Sequence, residues 1–197
     1  MRTLRTERLL LRPYSLADLE QLSIILTDKD AMRYVYMGAP VPLHECEQFA
    51  HEHLSGDEIE RPGFGTVFHP GWNRVIGFAG LSGCAYLGQE DYEIAVVLKK
   101  FADGPEAKGL GTEMATRLIR HGLDELKLPR LLASIHPDNI GSIVLFSRLG
   151  MKFVGFQSGL NDRGPRIIYS CPTPAADLPR HQRVVAISTD ASPTGHA

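Results

Sequence analysis

The residues with the most chemical promise lie in the run Pro105-Glu106-Ala107-Lys108-Gly109-Leu110-Gly111-Thr112. Before it stands an apolar, strand-like run, Tyr92-Glu93-Ile94-Ala95-Val96-Val97-Leu98. After it, Ala115, Leu118, Ile119, Leu123 and Leu126 recur at helical spacing, with Gly122 filling a gap on the same stripe. A loop that turns a buried strand into a helix leaves the first N–H groups of that helix unpaired. They sit at the positive end of the helix dipole, which makes the loop a seat for phosphate. A side chain at Gly109 or Gly111 would keep the backbone from closing on such an anion.

Spacing separates the nucleotide-handling loops. Gly104 and Gly109 have the separation of a Walker loop, but Leu110 stands where its lysine must be. Gly109 and Gly111 match the first two glycines of a dinucleotide fingerprint, but Met114 replaces the third. What remains is a Gly-x-Gly pair opening a helix, a pattern that a plain strand-to-helix turn also satisfies.

Further segments narrow the choice. The chain opens Thr6-Glu7-Arg8-Leu9-Leu10-Leu11-Arg12-Pro13, followed by Asp18-Leu19 and Met32-Arg33-Tyr34-Val35. Later come Asn139-Ile140-Gly141-Ser142 and Arg148-Leu149-Gly150-Met151-Lys152-Phe153-Val154-Gly155. Together with the glycine loop, from about Thr6 to about Tyr169, these resemble the GNAT superfamily of N-acetyltransferases. Within it they resemble the RimJ/RimL-type branch of ribosomal-protein N-terminal acetyltransferases. The resemblance implies an α/β fold with a mixed, mostly antiparallel central sheet, flanked by helices and splayed at a bulge in the acetyl-CoA-binding strand. It implies acetyl-CoA as cosubstrate, with no metal, and an amine acceptor that is a protein N-terminus or a small amine. Relatives often form homodimers, an implication that the residues themselves neither support nor oppose.

Carried over residue by residue, the resemblance puts the diphosphate on backbone N–H groups of Lys108, Gly109, Leu110, Gly111 and Thr112. It puts the pantetheine arm along the exposed backbone of Ile94, Ala95, Val96, Val97 and Leu98, with Asn139 as a further hydrogen-bond partner. Two positions depart from the pattern. Glu106 stands where relatives carry Gln, Arg or Trp, and its charge is expected to face solvent, away from a diphosphate. Phe146 holds a coenzyme-side position where many relatives have a proton-donating tyrosine, which moves the acid role elsewhere.

Acyl transfer to an amine also needs that amine neutral, and a lysine-like amine near 10.4 or an α-amino group near 8 is mostly protonated at pH 7. Glu93 is the candidate base: it is the one carboxylate in its apolar run, where unpartnered burial would be expensive. A strand-start carboxylate paired with a nearby Arg or Lys reads the same way. Ser142, one turn into the helix beginning near Asn139, is the candidate donor to the departing thiolate. Asn and Ser also serve simply as helix caps, and that alternative stands beside both roles. A non-catalytic acyl-CoA-binding module of the same fold is the rival from another class, and a phosphate-handling enzyme a more distant one.

Other groups suggest less. His44, His51 and His53 do not converge as metal ligands on a helix. Gly80-Leu81-Ser82-Gly83-Cys84 falls short of a nucleophile elbow because no helix follows. Trp72, in a hairpin turn, reads as surface packing, with contact to the acceptor or a second subunit as the alternative. Asp57, Glu58 and Glu60 read as a solvated face or as an acidic entrance for a cationic amine.

The elements that must position these residues follow from periodicity and punctuation. Strands are expected at 9–12, 64–69, 74–81, 92–98, 131–135, 153–157 and 166–171. Helices are expected through about Leu26 after a capping-box-like start made by Ser15 and Asp18, at 44–54, across the glycine-loop stripe as far as Pro129, and at 140–149 with Gly150 as cap. With 197 residues, 43% hydrophobic and 22% charged, the chain suits one domain over 1–171, followed by a polar tail over 172–197 read as disordered. A net charge of −2 offers no general attraction to nucleic acid or anionic lipid. The start of the chain lacks a leader's apolar core, no apolar run reaches the roughly 20 residues of a membrane helix, and Cys46, Cys84 and Cys171 form no disulfide framework. A cytoplasmic location is the expectation.

Overall fold

The computed structural model describes residues 3–54, 63–159 and 164–172. The acidic group Asp57, Glu58 and Glu60 lies outside them, as does the chain beyond 172. In chain order the elements are β1 (Leu4–Arg5), β2 (Leu10–Arg12), α1 (Leu19–Leu26), α2 (Lys29–Met32), α3 (Cys46–Leu54), β3 (Phe64–His69), β4 (Arg74–Cys84) and β5 (Asp91–Leu98). Then follow α4 (Leu110–Arg120), β6 (Arg130–Ile135), α5 (Ile140–Arg148), β7 (Lys152–Gln157) and β8 (Arg166–Pro172).

The strands form one eight-stranded sheet in the order β1-β2-β3-β4-β5-β6-β8-β7. Every pairing is antiparallel except β5 with β6, which run parallel. Side chains alternate across the sheet, and each face carries its own core. Ile94 on β5 joins Leu110, Met114, Ala115 and Leu118 of α4 on one side. Val97 joins Leu22, Ile25 and Leu26 of α1 and Ala50 and Leu54 of α3 on the other.

The parallel junction is where the sheet opens. β5 keeps an unbroken register with β4, from Gly77 opposite Leu98 to Cys84 opposite Asp91. β6 keeps one with β8, from Arg130 opposite Pro172 to Ile135 opposite Ile167. Since each strand stays with its antiparallel partner, β5 and β6 meet only at Glu93 and Leu132 and then diverge. The expected splay is present, but the expected bulge in β5 is not. Irregularities lie instead in β4, where Val67 pairs with Gly77 and Phe68 with Val75, so that Ile76 is the extra residue, and in β7, where Phe153 pairs with Tyr169 and Gly155 with Ile168.

Several boundaries depart from the periodicity for local reasons. The stripe through Leu126 is two elements: α4 stops at Arg120, and His121–Glu125 is a π-turn closed by the Leu126 N–H on the His121 carbonyl. A Cβ at Gly122 would lie 2.9 Å from Leu131, so the widened turn brings the backbone directly onto β6. The helix expected from His44 begins as a 3-10 turn, Leu43–Glu45, and β4 runs on to Cys84. The capping box of Ser15 and Asp18 is present but opens a 3-10 turn, Leu16–Asp18, ahead of α1, and Asp18 is also a buried clamp whose two oxygens accept from Arg12 at 2.7 Å. β1 and α2 escaped periodicity because two residues and one turn hold no repeat; Asp28 starts α2 by accepting the Ala31 N–H at 2.8 Å. Pro172 belongs to β8 as its last residue, a position that asks no N–H of it.

Candidate active site

The loop after β5 enters α4 through Gly109, whose φ of +78° is a left-handed conformation natural to glycine. No side chain caps the helix start, and the first bond closing it runs from the Glu113 N–H to the Gly109 carbonyl at 2.9 Å. The N–H groups of Leu110, Gly111 and Thr112 therefore precede the first helical bond, as four-residue offsets require. Lys108 corrects the sequence reading. Its N–H already donates to the Pro105 carbonyl at 3.1 Å, so its amide is not among the open donors, and its side chain is exposed. Glu106 is exposed, as expected.

A cavity of about 300 Å³ lies beside this turn. Ala107, Gly109, Leu110 and Gly111 form one wall and Gly141, Ser142 and Leu145 of α5 another, over Val96 and Leu98 of β5. Thr112 stands outside the lining, on the exposed side of the first turn. Trp72 closes the far end, stacked on His69 with ring centroids 4.0 Å apart. Half-buried, it packs against the core cluster and also lines this cavity.

A second, narrower cleft of about 70 Å³ fills the fork between β5 and β6. Ile94, Ala95, Val96 and Val97 line one side, Ala133, Ser134 and Ile135 the other, and Asn139, Ser142 and Phe146 of α5 approach it. Glu93 sits at its apex. Val96 and Ser142 line both cavities, so the cavity beside the glycine turn and the cleft that holds Glu93 are neighbours on either side of the same two residues. Beyond Glu93 the edge of β5 that faces away from β4 has no β6 partner in register, which leaves backbone groups directed into the fork.

Glu93 is 6% exposed and well held. Its Oε1 accepts the Ser134 N–H at 3.3 Å and the Ser134 hydroxyl, while Oε2 accepts the Tyr86 hydroxyl at 2.5 Å. Asn139 caps α5: its Oδ1 accepts the Ser142 N–H at 3.2 Å. The capping role is thus real, and both residues still line the fork. Two residues before Glu93, Asp91 is buried against Arg130, which donates from Nε and Nη2 at 2.5 Å each. That ion pair ties β5 to β6 just below the fork.

Sequence reasoning missed Ser134, Tyr86, Tyr34, His136 and the role of Arg8. Ser134 had a signal, since it is the polar break in the apolar run Leu131–Ile135. Tyr34 and His136 stack over the fork at 5.2 Å. Arg8 spans the chain to Glu113 on α4: its N–H and Nε donate to the two carboxylate oxygens at 2.8 and 2.7 Å. Its Nη1 donates to the Glu106 and Lys108 carbonyls at 3.0 Å each. Burial works against the Glu113 charge, but the bonds from Thr6 and Arg8 and the Arg8 charge outweigh it, holding the carboxyl below its ordinary value. The histidines expected not to converge are exposed, His44 in the 3-10 turn and His51 and His53 on α3, where His53 lies against Tyr36 and Phe49. Ser82 is mid-strand in β4, paired in register with Glu93.

The acetyltransferase (GNAT) domain family matches residues 8–152 of the chain, which takes in the glycine turn, Glu93, Asn139 and Ser142. The chain belongs to the GNAT acetyltransferase family. It is 27% identical over 151 residues to the uncharacterized N-acetyltransferase YnaD of Bacillus subtilis (strain 168), covering 77% of this chain and 83% of that protein. A GNAT-family acetyltransferase from Bacillus anthracis shares the fold, with a TM-score of 0.67 at 23% identity over 87% of this chain and 98% of that one. So does the spermidine N-acetyltransferase of Vibrio cholerae, solved in complex with CoA and spermine, with a TM-score of 0.61 at 16% identity over 84% and 95% of the two chains. The GNAT reaction is acetyl transfer from acetyl-CoA, and the chain is an acetyl-CoA-dependent acetyltransferase. Among the described residues, no helix is long and apolar enough to cross a membrane.

Proposed function

We propose that this GNAT enzyme transfers acetyl from acetyl-CoA to a primary amine, a protein N-terminus or a small amine, by direct attack in a ternary complex. The observation that carries the reading is the succession of two neighbouring cavities, one lined by Gly109, Leu110 and Gly111 and the other by Glu93, with Val96 and Ser142 common to both. Acetyl-CoA supplies the activated thioester, and the residues of these cavities fit its parts in order. Amides of Gly109, Leu110, Gly111 and Thr112 face the diphosphate, each charge-assisted bond contributing about 1.5–3 kcal/mol. The unpaired edge of Ile94–Leu98 receives the pantetheine arm, with Asn139 and Phe146 opposite, and offers a backbone N–H to the charge that develops on the carbonyl oxygen. A donor of that kind is typically worth about 10²–10³ in rate.

Glu93 takes the amine proton through a bridging water, held in position by Ser134 and Tyr86. Ser142, at the junction of the two cavities, gives a proton to the departing thiolate. A thiol near pKa 8.5 leaves well even so, and this role contributes modestly. The RimJ/RimL-type branch is supported by the Thr6–Pro13 segment and favours a peptide N-terminus as acceptor. Thiol release from acetyl-CoA, measured against N-terminal peptides, polyamines, amino acids and aminoglycosides, tests the proposal. Turnover with one class of primary amine is expected; CoA binding with no transfer across the whole panel would leave a binding module instead.

A further inference from the structure

We propose that Arg8 is the positioning residue of the diphosphate loop, fixing the Lys108–Gly109 peptide so that the Gly109 amide faces the cavity. The inference rests on the coenzyme reading of the glycine turn and adds what holds that turn in shape. Arg8 follows β1, far from the loop in sequence, yet its Nη1 donates to both the Glu106 and the Lys108 carbonyls. A trans peptide is planar, and its C=O and N–H point in opposite directions. Holding the Lys108 carbonyl toward Arg8 therefore turns the Gly109 N–H away from Arg8. Gly109 itself lines the cavity.

Arg8 is in turn fixed by the helix it serves. Glu113, in the first turn of α4, accepts Nε at 2.7 Å, pairs with Nη2 at 2.6 Å and takes the Thr6 hydroxyl on its other oxygen. Glu113 would otherwise bring a bare negative charge to the end of a helix that is to receive a diphosphate. Its pairing with a guanidinium removes that conflict, and the planar fork of Arg can serve carboxylate and carbonyls together where a lysine ammonium would not. Because these contacts engage Nε, Nη1 and Nη2 within the protein, Arg8 acts through the loop.

The test separates the loop from the rest of the site by substrate. Acetyl-pantetheine carries the same thioester as acetyl-CoA but no diphosphate. Calorimetric CoA affinity, kcat/KM for both thioesters and the melting temperature without ligand are measured for wild type, Arg8→Gln and Arg8→Lys. Arg8→Gln is expected to weaken CoA binding by about 10- to 100-fold, the value of one charge-assisted bond, and to change kcat/KM for acetyl-pantetheine less than about 2-fold. Arg8→Lys should regain the melting temperature through Glu113 but not the CoA affinity. Unchanged CoA affinity in folded Arg8→Gln overturns the proposal, as does an equal loss with both thioesters or full recovery of affinity by lysine. If wild type itself binds no CoA, the coenzyme reading of the turn falls first.

Discussion

Gly111→Ala should move stability and coenzyme affinity in opposite directions. Gly111 is the second residue of α4, and a Cβ built there would meet Leu145 Cδ1 at 3.5 Å, an ordinary contact. The helix therefore accepts alanine without strain, and replacing glycine in a helix stabilises by up to about 0.5–1 kcal/mol. For a chain of this size that raises the melting temperature by about 1–4 °C. Gly111 also forms the cavity wall, and a methyl group there holds an anion off the amides of the first turn. Losing one such bond, at about 1.5–3 kcal/mol, weakens CoA binding by about 10- to 100-fold. Calorimetry with CoA and a thermal melt of the free protein read the two effects separately. Gly109→Ala is the control of opposite sign for stability, since its φ of +78° costs alanine about 1–2 kcal/mol. A Gly111→Ala protein that is more stable and binds CoA as wild type does would refute the diphosphate seat.

Three further outcomes follow from the same geometry. Glu93→Gln should lower turnover by about 10²–10⁴ while leaving CoA affinity and the melting temperature near wild type; loss of all three together would make Glu93 a clamp and not a base. The Cys84 thiol is pushed up to about 12, first by burial and then by the Glu93 charge. Peptide-mapped alkylation at pH 8 should find it slow in the native protein and prompt after denaturation, and Glu93→Gln should speed the native reaction; a fast wild-type Cys84 would contradict the buried carboxylate beside it. Glu113 is held below its ordinary value near about 4.3, so its contribution to stability is complete above that pH and is lost as pH falls through the folded-state value. Melting temperatures of wild type and Glu113→Gln should accordingly differ at pH 7 and converge in acid, and a gap that widens in acid would reverse the sign of the coupling.

What the sequence disclosed and what it withheld divide along one physical line. Repeating patterns and local punctuation found β5, the glycine turn and the helix after it, because burial writes a period of 3.6 or 2 into the chain. At the fork, Glu93 stood out as the carboxylate of an apolar run, Asn139 and Ser142 came from the family resemblance, and Ser134, Tyr86, Tyr34 and His136 were missed. Irregular features left no period. The π-turn at His121–Glu125 preserves the apolar stripe while changing the backbone, and the Ile76 bulge shifts a strand without altering its composition. Pairings between distant residues were least visible. Arg8 and Glu113 are 105 positions apart and Asp91 and Arg130 are 39 apart, so each reads as a surface charge until the register of the sheet brings it to its partner. The misassigned Lys108 amide belongs to the same class, since only the 3-10 turn at Pro105–Ala107 shows that its N–H is taken.

Asp91 and Glu93 make the division of labour at the fork physically intelligible. They lie two apart on β5, on one side of the strand, and both are buried. Asp91 meets the Arg130 guanidinium through two charge-assisted bonds, which joins β5 to β6 where the strands still run together. Glu93 meets an amide and two hydroxyls, from Ser134 across the fork and Tyr86 on its own side of the sheet. A guanidinium fork on a carboxylate fixes charge and geometry at once, and removing either partner of a buried pair is strongly destabilising. Hydroxyls orient a carboxylate and can also relay a proton to it. The strand thus places the guanidinium-clamped carboxylate at the joint of β5 and β6 and the hydroxyl-bound one in the fork where the strands part.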